Sequence, residues 1–199
     1  KSNIGVTVAI PANAVEVADG VFSLGTGTDV DGRVVQGFMF VDKHAKPPGA
    51  GGGNGGGSAK CYAFLANGAK WKTIESWIVN TANTEGLIDS FVFSNLAGNI
   101  QKWEDSAGAN ILGAGNTTTA ALVADTSSPD GANEVYFGDV GSPGAIAVTI
   151  VWGIFAGPPS QRQLVEWDQV YDQVDYDWSS AGETGKMDFE NIATHEIGH

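Results

Sequence analysis

Cationic residues are scarce in this chain: Lys and Arg number 10 against 23 Asp and Glu in 199 residues, a formal net charge of −13. Such a surface repels phosphate backbones and anionic membranes, which argues against nucleic acid as a partner. Cysteine is scarcer still. A single residue, Cys61, excludes an internal disulfide and leaves that thiol free, ligating or paired with another chain. No run approaches the ~18 apolar residues of a membrane span. The opening KSNIGVTVAIPANAVEV lacks the apolar core of a secretory signal, so any such signal is expected to have been removed already. No internal repeat is detectable.

What is present suffices for a core. With 42% hydrophobic residues, the chain can hold one ordinary domain and a smaller appendage. Residues 5–41 contain short alternating apolar runs, VTVAI, AVEV, GVFSL and RVVQGFMFV, broken by ADG and DVDG, which is hairpin chemistry. Residues 1–46 are therefore expected to form a small β-rich leader. Residues 47–68, with two prolines, a glycine run and Cys61, read as a linker or exposed loop. From residue 69 the pattern changes. AKWKTIESWIVNT places Trp71, Thr73, Glu75, Trp77 and Val79 on one face of a strand. Phe93, Leu96, Ala97, Ile100 and Trp103 then recur at helical spacing until Gly108. AALVADT, NEVYFGDV, AIAVTIVWGIF and LVEWDQVYD read as strands between turn signals. A last helix opens at Asp188 as N-cap, with Glu190 near its positive end and Phe189, Ile192, Ala193 and Ile197 apolar. Strand, helix, strands, helix is an α/β (α+β) order.

The sequence stops on ENIATHEIGH. At about 100° per residue, His195 and His199 project within about 40° of each other on one helical face, so both imidazoles can meet one ion. The stripe of Phe189, Ala193 and Ile197 points elsewhere and leaves the histidines to a cleft. Zinc held there supplies Lewis acidity, while Glu196, too far round the helix to ligate, can take a proton from attacking water. The competing structural reading is two surface histidines on a last helical turn. His44, the third histidine, reads as solvated.

The resemblance goes beyond this motif. KMDFENIATHEIGH is similar to the active-site helix of the matrixin-like metzincins, which continues as HExxHxxGxxH or HExxHxxGxxD. VEWDQVYDQVDYDW resembles the strand and acidic turn before that helix, AKWKTIESWIVN their first strand, and FVFSNLAGNIQKWEDSAG their first helix with its tryptophan. Residues 69–199 carry the similarity, which is strongest to an archaeal group of such proteins. The resemblance implies a metzincin-like twisted mixed sheet with the active-site helix at its C-terminal end. It also implies a secreted, extracellular or cell-surface zinc endopeptidase acting on peptide or protein substrates. Residues 69–199 would form the catalytic upper subdomain and residues 1–46 a candidate prosegment. His195 and His199 would be metal ligands, Glu196 the general base, and Ala145, Ile146, Ala147, Val148, Thr149, Ile150, Val151 and Trp152 the edge strand along which substrate pairs; a simple buried strand is the competing reading.

The third ligand, the glycine turn and the methionine turn of the family pattern would follow His199. A chain ending there is expected to bind zinc weakly and to be inactive alone. Cys61 stands where matrixin zymogens carry a switch thiolate, although AKCYAFLAN departs from their PRCGxPD; a buried small hydrophobe is the alternative. Calcium is a candidate second cofactor, with Asp168, Asp172, Asp175 and Asp177 as the oxygen-rich segment, while DVDG at 29–32 reads as a turn. The alternative to an enzyme is an assembly protein on the same fold, a homo-oligomer or polymer built by N-terminal strand addition.

Overall fold

The computed structural model describes residues 6–44 and 64–199. Most of the 47–68 segment, including Cys61, lies outside the described residues. The fold is mixed α/β, with a large mixed sheet and two helices. Its strands are β1 (Thr7–Val8), β2 (Val15–Ala18), β3 (Val21–Thr28), β4 (Val34–Lys43), β5 (Glu75–Asn80), β6 (Leu112–Thr117), β7 (Asn133–Val140), β8 (Ala145–Ile154) and β9 (Gln163–Asp172). Helix α1 spans Asp89–Ala107 and α2 spans Phe189–Ile197, preceded by a short parallel pair, β10 (Trp178–Ser179) and β11 (Met187–Asp188).

The order across the sheet is β2-β3-β4-β8-β9-β7-β5-β6, with β1 added along the end of β7. Pairing is antiparallel from β2 to β9 and parallel from β9 to β6. The described part of the segment expected to form a leader is stranded, and its strands belong to the main sheet. Asp29 closes the DVDG turn, accepting from the Asp31 and Arg33 amides at 3.0 and 2.8 Å. That segment is a turn, as its sequence indicates.

The pairing corrects one expectation. The resemblance places Ala145–Trp152 at a sheet edge, but β8 is flanked by β9 on one side and β4 on the other, with Met39 opposite Ile150 and Phe40 opposite Thr149. The leader itself supplies the strand that covers the edge. It fits because β4 alternates RVVQGFMFV with the same period of two as its neighbour. Val35, Met39 and Val41 join Val148, Ile150 and Trp152 in the core on one sheet face, whereas Phe38 and Phe40 pack with Ala147 and Val151 against the helices on the other.

One further expectation fails for a physical reason. AALVADT is not a strand: Leu122 and Ala124 are buried between exposed neighbours, so the alternation marks an extended loop lying on the sheet without a ladder partner. LGAGNT, with two glycines and no strand reading above, pairs with β5 as β6, and Gly115 lies where a Cβ would come within 2.6 Å of several atoms of the Trp77 ring.

The helices pack on one face. Gly108, at φ 63°, ends α1 as its left-handed cap. Val92, Leu96 and Ile100 face the sheet, while Trp103 remains 41% exposed and donates from Nε1 to the Thr194 carbonyl at 2.7 Å. Asp188 caps α2, accepting from the Glu190 amide at 3.1 Å. Phe189 then enters a buried aromatic cluster with Phe137, Tyr171 and Trp178, ring centroids 5.1–5.9 Å from its own. These anchors fix where the histidines of α2 can lie.

The fit of the leader rests on Gly37. A Cβ there would lie 2.6 Å from the fully buried Trp152 ring. Gly37→Ala is expected to cost about 1–3 kcal/mol by overpacking, read as a lower urea midpoint at unchanged slope; an unchanged midpoint would mean that β4 is not held against Trp152.

Candidate functional site

The period-two pattern that puts Phe38 and Phe40 on the helix side of β4 puts Asp42 there too. Its carboxylate stands between the two histidines of α2. His195 Nε2 is 3.2 Å from Asp42 Oδ1, and His199 Nε2 is 3.0 Å from Oδ2. The imidazoles themselves lie 4.8 Å apart, edge to face, and Phe40 stacks on His199 at 4.4 Å. One ligand atom from each of Asp42, His195 and His199 lies within 4.8 Å of the others. The two histidines stand together as their helical spacing predicts, and Asp42 joins them from outside the motif. A charged residue in phase with the inward Phe38 and Phe40 was the available signal.

Glu196 behaves differently from the expected cleft residue. It is fully buried and extends the core stripe of Phe189 and Ala193 by one turn, while Ile197 is only partly buried. The Thr149 hydroxyl donates to Glu196 Oε2 at 2.6 Å, and Oε1 finds no donor among the described residues. Thr149, read as part of a substrate edge, thus orients the carboxyl of Glu196. Burial, together with the charge of Asp42, pushes the Glu196 carboxyl well above the usual range. Burial also opposes ionisation of Asp42, but hydrogen bonds from His195 and His199 overcome it and hold that carboxylate well below its usual range. The hydrogen bond to Asp42 raises His195 against the opposing effect of burial. A largely apolar cavity of about 500 Å³ opens beside this group, bordered by Trp71, Trp103, Val151, Trp167, Glu196 and His199.

The other expected residues are dispersed. His44 stacks loosely on Tyr176 at 6.2 Å. The four aspartates read as an oxygen-rich segment do not converge among the described residues. Asp168 accepts from the Asp125 and Glu134 amides at 2.8 and 3.1 Å, and Asp172 accepts from the amides of Val140, Val174 and Asp175. They serve as backbone caps. A different acidic group, Asp125, Asp130 and Glu166, gathers on the opposite sheet face, with Asp168 and Glu134 nearby. Burial, opposed by the Gly131 amide and reinforced by Asp125, pushes Glu166 up to about 8.

A scan against protein-family models finds no match to this chain, and a search of the curated proteins finds none either. Among the described residues, no helix is long and apolar enough to cross a membrane.

The acidic face has a consequence for stability. Burial raises Glu134 from its ordinary 4.5 to about 7, with the Asp130 and Asp125 charges adding and the Val123 amide opposing. A carboxyl raised on folding stabilises most below its unfolded pKa, and that contribution is lost as pH rises through the folded value. In metal-free buffer the thermal midpoint is therefore expected to fall between about pH 4.5 and 7. For this half-exposed group the effect is on the order of 1 kcal/mol after solvent screening. Glu134→Gln should flatten that part of the profile; an identical slope in the variant would remove Glu134 as its source.

Proposed function

We propose that this chain is the latent form of a zinc-dependent endopeptidase of metzincin type, shut by its own N-terminal strands. The observation that carries the reading is the convergence of Asp42 on His195 and His199, with Glu196 buried beside them. The donor set suits zinc, being two imidazole nitrogens and a carboxylate oxygen. One ligand atom from each of the three residues lies within 4.8 Å of the others, close enough to share an ion. When bound, zinc supplies Lewis acidity to a peptide carbonyl.

The chain's own residues divide the remaining work. Once Asp42 is withdrawn and its charge no longer holds Glu196 protonated, Oε1, for which no donor is found among the described residues, is the atom available to receive a proton from water, and Thr149 holds the other oxygen in place. Val148 to Trp152 present a backbone ladder that an extended peptide can join by strand addition once β4 has left. Latency follows from two contacts of one strand: β4 covers that ladder, and its Asp42 fills the space between the histidines. Breaking the covalent link between residues 44 and 64 does not by itself open the cleft, because β4 remains paired with β8 over most of its length. The family pattern places a further ligand after His199, and an extracellular or cell-surface setting, with protein or peptide substrates, belongs to the same reading.

One observation favours the assembly alternative. β4 pairs with β8 from more than a hundred residues away in sequence, so β4 of one copy can pair with β8 of another without new chemistry. Light scattering in chelator separates the two, since a metal-independent polymer belongs only to the assembly protein.

Zinc titration by calorimetry tests the site in this chain. One ion per chain is expected, with Asp42→Ala weakening it at least about 10-fold and Glu196→Gln leaving it in place. In a chain continued through the family pattern and freed of residues 1–44, Glu196→Gln should lower peptide hydrolysis about 10²–10⁴-fold. Retained turnover in that variant, or no zinc uptake at all, would sink the reading.

A further inference from the structure

The strand that lies across the ladder of β8 also shows what that ladder accepts. β4 runs antiparallel to β8 from Gln36, opposite Gly153, to Lys43, opposite Ala145, and so brings Asp42 to the histidines near the end of the run. Its side chains alternate, and the two faces meet different surroundings. On the histidine face, Phe38 lies opposite Val151 and meets the buried Phe155 edge to face, ring centroids 5.5 Å apart. Phe40 lies opposite Thr149 and stacks on His199. Stacking uses the face of the imidazole and leaves Nε2, in the ring plane, to a ligand.

The other face is stricter. Gly37 lies directly opposite Trp152, where a Cβ would come within 2.6 Å of the ring. Gly37 is not among the glycines with positive φ, so its backbone alone does not call for glycine. The ring is not carried by β4. Trp152 belongs to β8, is fully buried, and donates from Nε1 to the Asp125 carbonyl at 2.8 Å, which holds it from the loop before β7. Further along this face Met39 lies opposite Ile150 and Val41 opposite Val148, all buried.

We infer that β4 is a template of the substrate: the cleft takes extended peptides with glycine where Gly37 stands and large apolar side chains, aromatic ones foremost, where Phe38 and Phe40 stand. This deepens the peptidase reading and rests on it. Main-chain bonds to β8 hold any extended strand, while pockets for alternate side chains select among them. Each selecting surface belongs to residues that remain when β4 leaves. Trp152 excludes a side chain, Val151 and Phe155 receive one aromatic ring, and the face of His199 receives the next. The residue in the place of Asp42 lies at the histidines, so the bond to be cut lies at or next to it. What separates the template from a substrate is Asp42 itself, whose carboxylate stands between the two imidazoles.

A full-length chain cut at a protease recognition sequence placed between residues 44 and 64 gives a two-piece complex, on which labelled peptides compete with the leader for β8. In chelator, fluorescence anisotropy at equilibrium is expected to show binding of RVVQGFMFVDK, residues 33–43. Gly37→Val in the peptide should weaken it at least about 10-fold, as should Phe38→Ala or Phe40→Ala. Lys43→Ala, at the exposed end, should stay within about 2-fold. The substitutions are in the peptide, so the folding of the protein is untouched. No displacement of the leader by the unaltered peptide, or equal binding of the glycine and phenylalanine variants, would overturn the template. In zinc, with the chain continued through the family pattern, the Asp42→Ala peptide should be cut at or next to that residue, and a peptide pool should be cut where the same pattern recurs. Cuts without the pattern would also overturn the template. Selective binding without any cut would count against the peptidase reading and leave the selectivity of β8 intact.

Discussion

The pairing of β4 with β8 is the constraint on which both faces of the molecule depend. Because side chains alternate along a strand, one register decides two things at once. It presses Met39 and Val41 into the core behind the sheet, and it delivers Phe40 and Asp42 to the histidines in front. A slip of one residue would exchange the faces, burying Asp42 among Val148 and Ile150 and setting Met39 and Val41 against the helices. The register is held by bulk: Trp152 occupies the space that Gly37 leaves empty.

The second helix is held just as firmly from its other end. Phe189 is locked into the aromatic cluster, the Asn99 amide group donates to the Glu190 carbonyl at 3.3 Å, and Trp103 reaches the Thr194 carbonyl. With its first turns fixed on α1, α2 can project His195, Glu196 and His199 in only one direction. The two histidines then emerge toward β4 while Glu196 turns inward to Thr149. A polar group buried with one oxygen satisfied and the other not is the kind of arrangement that stability alone does not favour. Such arrangements concentrate where chemistry is done.

The legible and illegible parts of the sequence differ in kind. Local signals were reliable: Gly108 ends α1, Asp188 caps α2, and the apolar runs between turn signals, NEVYFGDV, AIAVTIVWGIF and LVEWDQVYD, form strands. The histidine pair was readable because a helix brings residues four apart together without tertiary help. What could not be read was which distant segment meets them. Asp42 joins the site through a strand pairing more than a hundred residues away in sequence; its phase with Phe38 and Phe40 marks which face it takes but not which segment that face meets. The same holds for Glu166, which looks like an ordinary strand residue until the loop carrying Asp125 and Asp130 is laid across it. Leu122 and Ala124 misled in the opposite direction, since an extended loop on a sheet alternates as a strand does.

The order of the strands along the chain has a consequence for how the molecule comes into being. On a ribosome the β3–β4 hairpin emerges first, and its partner β8 is made only after more than a hundred further residues. Throughout that interval Phe38, Met39 and Phe40 stand on an open ladder that any extended chain can join. Non-local pairings of this kind form slowly, and the exposed edge is most vulnerable while they wait. A strand whose place is in the middle of the finished sheet therefore begins its existence as an edge.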